Sequence, residues 1–357
     1  PNQSDTASVD NALELLVQGG RDLPHALRML IPEAFRKDDA MSQERRDFYD
    51  YHASLVEPWD GPALVVGTDG EQVAAALDRN GLRPCRYDVT KDDRLIMASE
   101  AGALDIDPAD IEERHRLQPG QLLVADPEEG RVVPDDEVFD SLTDEKYGEW
   151  VTREQRHLAD DVQTDYEPRE RIETLRSHQS AFGYTYDQLD HLIEPMAKDG
   201  KDPVGSMGDD TPLSVLSDFN RPLFTYFKQL FAQVSNPPID YIREELVTSL
   251  ESRLGPQRNL LDETPEHARQ LVVDSPVLTD AQTESIKGLD GEFSSTVVDM
   301  TYEKGGDLET AMERLRADAR EAIEAGADIV VLSDRSAGPD RVPIPSLLAT
   351  GGVHHAL

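Results

Sequence analysis

Ser295-Thr296-Val297-Val298-Asp299, then Asp307-Leu308 and the run to Gly326, then Ala327-Asp328-Ile329-Val330-Val331-Leu332 place a strand, a helix and a strand in succession. Valine and isoleucine suit a sheet because their branched Cβ restricts χ1 and packs on a pleated surface. Between the two runs Leu308, Met312, Leu315, Ala319 and Ile323 recur at helical spacing, with Asp307 as N-cap and Gly326 as stop. Such a unit joins parallel strands by a right-handed crossover. The second aliphatic run reads as a buried strand. Ser333-Asp334-Arg335 follows its carboxyl end, where ligands bind in many α/β sheets, although a structural turn suits the same residues.

Further upstream, Leu223, Phe224, Tyr226, Phe227, Leu230 and Phe231 form a broad helix face, read as core. Asn236-Pro237-Pro238 ends it, since neither proline donates a backbone hydrogen bond and Asn236 is pushed out of helical geometry. Asp240 then caps a helix predicted to run through Ile242, Leu246 and Leu250, stopped by Gly255-Pro256. The block Gly205-Ser206-Met207-Gly208-Asp209-Asp210-Thr211-Pro212 fits neither a P-loop nor a dinucleotide fingerprint, and two aspartates repel phosphate. Asp209 and Asp210 could hold a metal, but capping of the next segment is the favoured reading. Asp187 to Met196 has helix-like spacing. Between about Tyr147 and Gln179 the chain is heavily charged and poor in large aliphatics, as a domain connection is.

The first half of the chain has a different rhythm. Two short helices, Asp10 to Val17 and Ala26 to Ile31, flank Gly19-Gly20, and a third is predicted from Ser42 to about Leu55. Short apolar runs at Ala63–Val66, Val73–Leu77, Cys85–Val89, Leu95–Ala98 and Gln121–Val124 follow, separated by turn pairs such as Asp69-Gly70 and Asn80-Gly81. They predict an antiparallel meander beneath layers of helix.

The chain has 357 residues, enough for two domains, and a formal charge of −37. That charge disfavours nucleic acid and anionic lipid as partners. No apolar stretch is long enough to span a bilayer, and the first residues lack a secretory signal, so a soluble, cytoplasmic protein is expected. A start at Pro1 suggests part of a longer product. Eight of the 35 basic residues are lysine, and acids run along the whole chain, a balance expected of a halophilic protein whose carboxylate repulsion is screened by salt. Cys85 is the only cysteine, which rules out an intramolecular disulfide or a thiolate cluster, and it reads as a small core residue. The adjacent His354 and His355 lack carboxylates nearby and make a weak metal motif.

Several blocks resemble one family. Gln3-Ser4-Asp5-Thr6, Glu57-Pro58-Trp59-Asp60-Gly61-Pro62, Asp78-Arg79-Asn80-Gly81-Leu82-Arg83-Pro84 and Leu117-Gln118-Pro119-Gly120 are similar to the class II glutamine amidotransferase domain of glutamate synthase. Gly208-Asp209-Asp210-Thr211-Pro212, the Asn236-Pro237-Pro238 block, Gly255-Pro256-Gln257-Arg258-Asn259-Leu260-Leu261 and Val342 to His355 resemble its central domain. The resemblance implies three divisions. Residues 1–150 would be a partial N-terminal-nucleophile hydrolase, an αββα sandwich; 151–180 a charged linker; and 181–357 an α/β central domain with a parallel sheet, incomplete at its C-terminus.

The implied chemistry is conversion of L-glutamine and 2-oxoglutarate to two L-glutamate. The family's nucleophilic cysteine and oxyanion Asn-Gly pair lie upstream of Pro1, so no catalytic residue is expected here. Asp5, in the family's Ser-Asp-Thr block, is implied to bind the α-amino group of glutamine; by spacing alone it also reads as a helix cap. No cofactor is expected within the chain, while FMN and an iron–sulfur cluster are implied for the full-length enzyme. Implied partners are the FMN-binding and C-terminal domains of the same polypeptide, with electrons from ferredoxin or an NAD(P)H-dependent small subunit.

Overall fold

The computed structural model describes residues 4–158, 175–201, 215–216, 222–227, 239–289 and 291–357. They belong to two compact units. One comprises the described residues of Pro1–Asp160 and Ile239–Val277; the other those of Asp161–Pro238 and Leu278–Leu357.

The first unit opens with three helices, α1 (Asp5–Gln18), α2 (Leu23–Leu30) and α3 (Gln43–His52). Ser4 and Ser42 cap α1 and α3, accepting from Ala7 N and Arg45 N. Seven strands follow: β1 (Leu64–Thr68), β2 (Val73–Leu77), β3 (Arg86–Thr90), β4 (Leu95–Ala98), β5 (Ile111–Arg116), β6 (Leu122–Asp126) and β7 (Arg131–Val133). They form two sheets, ordered β1-β2-β6-β7 and β4-β3-β5, with antiparallel pairing throughout. The expected single meander is thus corrected. The chain leaves the first sheet after β2, builds the second, and returns as β6 beside β2. β5 carries no strand signature in the sequence, because Glu112, Glu113, Arg114, His115 and Arg116 are all exposed and show no apolar alternation.

Helix α2 is buried along most of its length and packs on β2 and β6. Ala74, Ala75 and Ala76 of β2 are buried, and such small side chains let a helix axis approach the sheet closely. Arg28 of this helix has a fully buried side chain, where its guanidinium pairs with Asp135 and donates to Gly120 O. Asp135 begins α4 (Asp135–Leu142), accepts from Leu122 N at 2.9 Å and also pairs with Arg45, whose guanidinium lies 3.7 Å from the Phe139 ring centre. Asn80-Gly81 lies in a turn organised by Asp78, whose carboxylate accepts from Ala63 N, Asn80 N and Leu82 N. Gly81 has φ +62°, and a Cβ there would stand 2.5 Å from Pro119 Cγ. Cys85 is buried with Leu77, Leu117 and Leu123, as a core residue should be.

After α5 (Glu145–Glu154) comes β8 (Arg156–His157). The returning segment supplies α6 (Tyr241–Val247), β9 (Ser252–Leu254) and β10 (Leu271–Val273). β10 pairs parallel with β8 and antiparallel with β9. Asp240 caps α6 as expected, accepting from Ile242 N and Arg243 N, but the helix stops at Val247. Thr248 turns extended, so Leu250 falls outside the helix and the chain is free to pair as β9.

In the second unit, β11 (Ser295–Asp299), α8 (Leu308–Glu324) and β13 (Ile329–Ser333) form the expected unit, with α7 (Asp280–Lys287) ahead of it. β11 and β13 are parallel, from Ser295 opposite Ile329 to Asp299 opposite Ser333. Asp307 caps α8 through Thr310 N at 2.8 Å, and Ala311, Met312, Leu315, Ala319 and Ala322 are its buried residues. β13 is half-buried rather than buried, a correction that follows from its place in a pair of strands with one covered face. β12 (Thr301–Glu303) pairs antiparallel with β14 (Arg341–Pro343), and α9 (Ser346–His354) ends the chain. A short helix spans Leu175–Ala181, and Tyr186–Asp199 is helical through a π turn at Leu189–Ile193. The Gly205 to Pro212 block and Lys228 to Pro238 lie outside the described residues.

Asp135→Ala leaves the buried Arg28 charge without its partner. We expect a loss of about 3–5 kcal/mol in urea unfolding, the cost of breaking a buried ion pair from one side.

Candidate functional site

The loop from Gly255 to Ala268 builds a polar cluster against α2, α3 and α5. Thr264 and His267 cap each other at the 3-10 turn Pro265–Ala268, and His267 Nε2 donates to Asn259 O at 2.9 Å. Arg21, just before α2, donates to Leu260 O at 2.8 Å, and Tyr51 of α3 donates to Thr264 O at 3.0 Å. With its backbone held on both flanks, the loop projects Glu263 inward. One carboxylate oxygen, Oε1, pairs with Arg21 and lies 3.5 Å from His25 Nε2 and 3.7 Å from His52 Nε2. The other, Oε2, accepts from Tyr147 OH at 3.0 Å and stands 3.5 Å from Lys146 Nζ.

The two imidazoles meet edge to face, with Nε2 to Nε2 at 2.7 Å. His52 Nδ1 lies 2.7 Å from Phe48 O one helical turn back. A carbonyl only accepts, so Nδ1 carries the proton and Nε2 presents a lone pair to the cluster. Aromatic rings of Phe48, Tyr51 and Tyr147 pack around His52. Burial lowers the pKa of His25 to about 3, helped by His52 and Arg21 against the pull of Glu263. His52 is lowered as well, by burial first. Burial alone would raise Glu263, but the neighbouring His52 and His25 imidazoles and the Arg21 charge hold it below the usual carboxylate range. Two neutral imidazoles and one ionised carboxylate are thus the groups on offer.

None of the three was singled out in the sequence. They are far apart along the chain and share no motif spacing. The available signal was His25 and Arg28, two polar side chains one turn apart on the otherwise apolar helix Leu23–Leu30.

Asp5 is the first residue of α1, is exposed, and accepts from Thr6 N at 2.8 Å; the cap itself is Ser4. Its neighbour Thr6, with Val9, Asp10, Leu13, Trp59 and Arg83, lines a cleft of about 980 Å3 between α1 and β1. Asp5 does not join the His25 cluster. Burial pushes the Cys85 thiol up, away from the thiolate form that a nucleophile needs. His354 and His355 meet edge to face, and no carboxylate joins them in a ligating group among the described residues.

Stability should depend on acid through this cluster. The unfolded chain takes up a proton on His25 near pH 6.5, whereas the folded chain does so only near pH 3. Folding stability is therefore complete above pH 6.5 and falls as pH drops through that window, by about 1.4 kcal/mol per pH unit for each such histidine. In chelator-treated protein, His25→Gln should flatten the slope of urea-unfolding free energy between pH 6 and 4 by about one proton's worth.

Comparison with known proteins extends both halves of the chain. Residues 1–150 match the family model described as glutamine amidotransferases class-II, and residues 177–357 match glutamate synthase central domain. The chain is 43% identical over 356 residues to the glutamate synthase [NADPH] large chain of Bacillus subtilis (strain 168), covering 99% of this chain and 23% of that protein. It is 43% identical over 363 residues to ferredoxin-dependent glutamate synthase 2 of Synechocystis, again 99% and 23%, and 40% identical over 371 residues to glutamate synthase [NADH] of Schizosaccharomyces pombe, 99% and 18%. The chain thus spans less than a quarter of the length of these relatives. With an amidotransferase segment followed by a central-domain segment in the same order, the chain belongs to the glutamate synthase family.

Proposed function

We propose that this chain is the part of a glutamate synthase that binds glutamine and helps carry the ammonia released from it. The observation behind this reading is the collinear match of both segments with glutamate synthases that use NADPH, ferredoxin or NADH. In the reaction, glutamine is hydrolysed, ammonia condenses with 2-oxoglutarate, and the imine is reduced at a flavin to a second glutamate. The hydrolytic cysteine and oxyanion donors come from outside residues 1–357, in agreement with the raised pKa of the buried Cys85 thiol. FMN, the iron–sulfur cluster and the contact with ferredoxin or an NAD(P)H-dependent subunit belong likewise to other parts of the polypeptide or its partner.

In this reading residues 1–150 form a partial αββα hydrolase sandwich. Residues 151–180 link it to the central domain at 181–357. Two antiparallel sheets and layered helices in the first unit support the sandwich. No helix among the described residues is long and apolar enough to cross a membrane, in keeping with a cytoplasmic enzyme.

Asp5 takes the α-amino group of glutamine. It is exposed at the mouth of α1, beside the cleft that Thr6 lines, and its carboxylate has one backbone partner and free capacity for an ammonium. The test is glutamine turnover. In the full-length enzyme Asp5→Asn should raise KM for glutamine about 10–100-fold, the worth of a charge-assisted hydrogen bond. The 357-residue chain alone should release no ammonia. An unchanged KM would remove the assignment.

The acidic surface suits a high-salt cytoplasm. Melting temperature should climb steeply between dilute buffer and molar potassium chloride, as carboxylate repulsion is screened; a salt-independent melt would exclude halophilic adaptation.

A further inference from the structure

We propose that His25, His52 and Glu263 form a binding site for one divalent transition-metal ion of the zinc class, which pins the Gly255–Ala268 loop to helices α2 and α3. Three distances define the site, none of which depends on the glutamate synthase reading. Nε2 of His25 and Nε2 of His52 are 2.7 Å apart, and Glu263 Oε1 lies 3.5 and 3.7 Å from them. A triangle with those sides has a point about 1.9 Å from every corner. Zinc bonds imidazole nitrogen and carboxylate oxygen at about 2.0–2.2 Å, so an ion just above the plane of the three donors reaches all of them, and the imidazoles part from 2.7 Å to the wider spacing of tetrahedral ligands by side-chain rotation.

The donor chemistry agrees with the distances. Two imidazoles and a carboxylate are a recurrent three-ligand set for zinc, with a fourth position left to water. His52 Nδ1 is fixed on Phe48 O, the outer contact that holds a ligating imidazole in the right tautomer. Tyr147 donates to the far oxygen of Glu263 and does the same for the carboxylate. His52 already presents its Nε2 lone pair, while the hydrogen bond between the two rings puts the His25 proton on Nε2, so His25 ligates once that proton moves to its Nδ1. Among the described residues this is the one group of three or more such side chains with ligating atoms this close. The His25 and Glu263 side chains keep 13% and 20% of their surface exposed, so an ion can enter from that side.

Arg21 is the competing cation. It pairs with the same oxygen that faces the imidazoles, and the ion requires two rearrangements, release of Arg21 from Glu263 and transfer of the His25 proton from Nε2 to Nδ1. Its second amino group stays bonded to Leu260 O, which keeps the guanidinium on the loop. Without the ion, the hydrogen bond between the imidazoles and the Arg21 pair hold the cluster together; with it, three ligands from three elements replace them.

The test uses the 357-residue chain, stripped with EDTA and titrated with Co2+ and then Zn2+. The expected result is one ion per chain, visible ligand-field absorption of four-coordinate cobalt, displacement of cobalt by zinc, and a higher melting temperature with metal than with chelator. Glu263→Gln and His25→Gln should each weaken binding by about 100-fold or more, whereas a His354→Ala, His355→Ala double variant should bind as before. If a substituted chain fails to fold, the titration and metal-dependent melting of the unsubstituted chain still decide. No uptake of either ion, octahedral cobalt alone, binding retained in Glu263→Gln, or binding lost with the terminal histidines would each overturn the site.

Discussion

The carboxylate of Glu263 is the constraint around which the first unit is arranged. It is drawn into a setting lined by aromatic rings, and its charge is balanced there by Arg21 and Lys146 and by the Tyr147 hydroxyl. A carboxylate so placed is costly unless each oxygen has partners. Meeting that demand brings α2, α3, α5 and the Gly255–Ala268 loop to one point. Glu263 lies in the segment that matches the central-domain family model, whereas every side chain that answers it lies in the segment that matches the amidotransferase model. The boundary drawn by family resemblance and the boundary drawn by packing are therefore different: Ile239–Val277 packs with the residues before 160.

A second buried charge works by the same physics. Arg28 is sealed between α2 and the first sheet, where its terminal amino groups meet Asp135 and Gly120 O while its Nε has no partner. Asp135 simultaneously receives Leu122 N, so one carboxylate sets the start of β6, the start of α4 and the depth of α2. Both arginines sit on or beside a helix whose residues other than His25 and Arg28 are apolar, which gives this helix two fixed anchor points instead of a greasy face free to slide. Pairing of the terminal amino groups of buried arginines selects one packing among many that hydrophobic burial alone would allow.

Local chemistry was legible wherever one residue's neighbours in sequence are also its neighbours in space. Asp307 and Asp240 were readable as caps because a cap acts across three residues. The strand limits Ser295–Asp299 and Val73–Leu77 coincide with their β-branched or aliphatic runs. The Asn80-Gly81 turn was readable from its dipeptide, and Gly81 must remain glycine for the further reason that Pro119 occupies the space a side chain would need. β5 was hidden because an exposed strand has no apolar alternation, and the end of α6 because Thr248 leaves the helix for a pairing with β10 that the local sequence does not announce.

By itself the sequence determined the caps, the family blocks and the strongly acidic composition, since each depends on side chains within a few positions of one another or on composition alone, whereas the aromatic run expected as a core helix face opens instead with a 3-10 turn at Leu223–Tyr226 and exposes Tyr226 and Phe227. Tertiary structure decided how the strands divide into two sheets, which stretch of chain packs with which, and that His25, His52 and Glu263 share one small volume. The physical reason is range: helix propensity and capping act over a turn, whereas burial of a charge is settled only when segments more than 200 positions apart close around it, as Arg21 and Glu263 do.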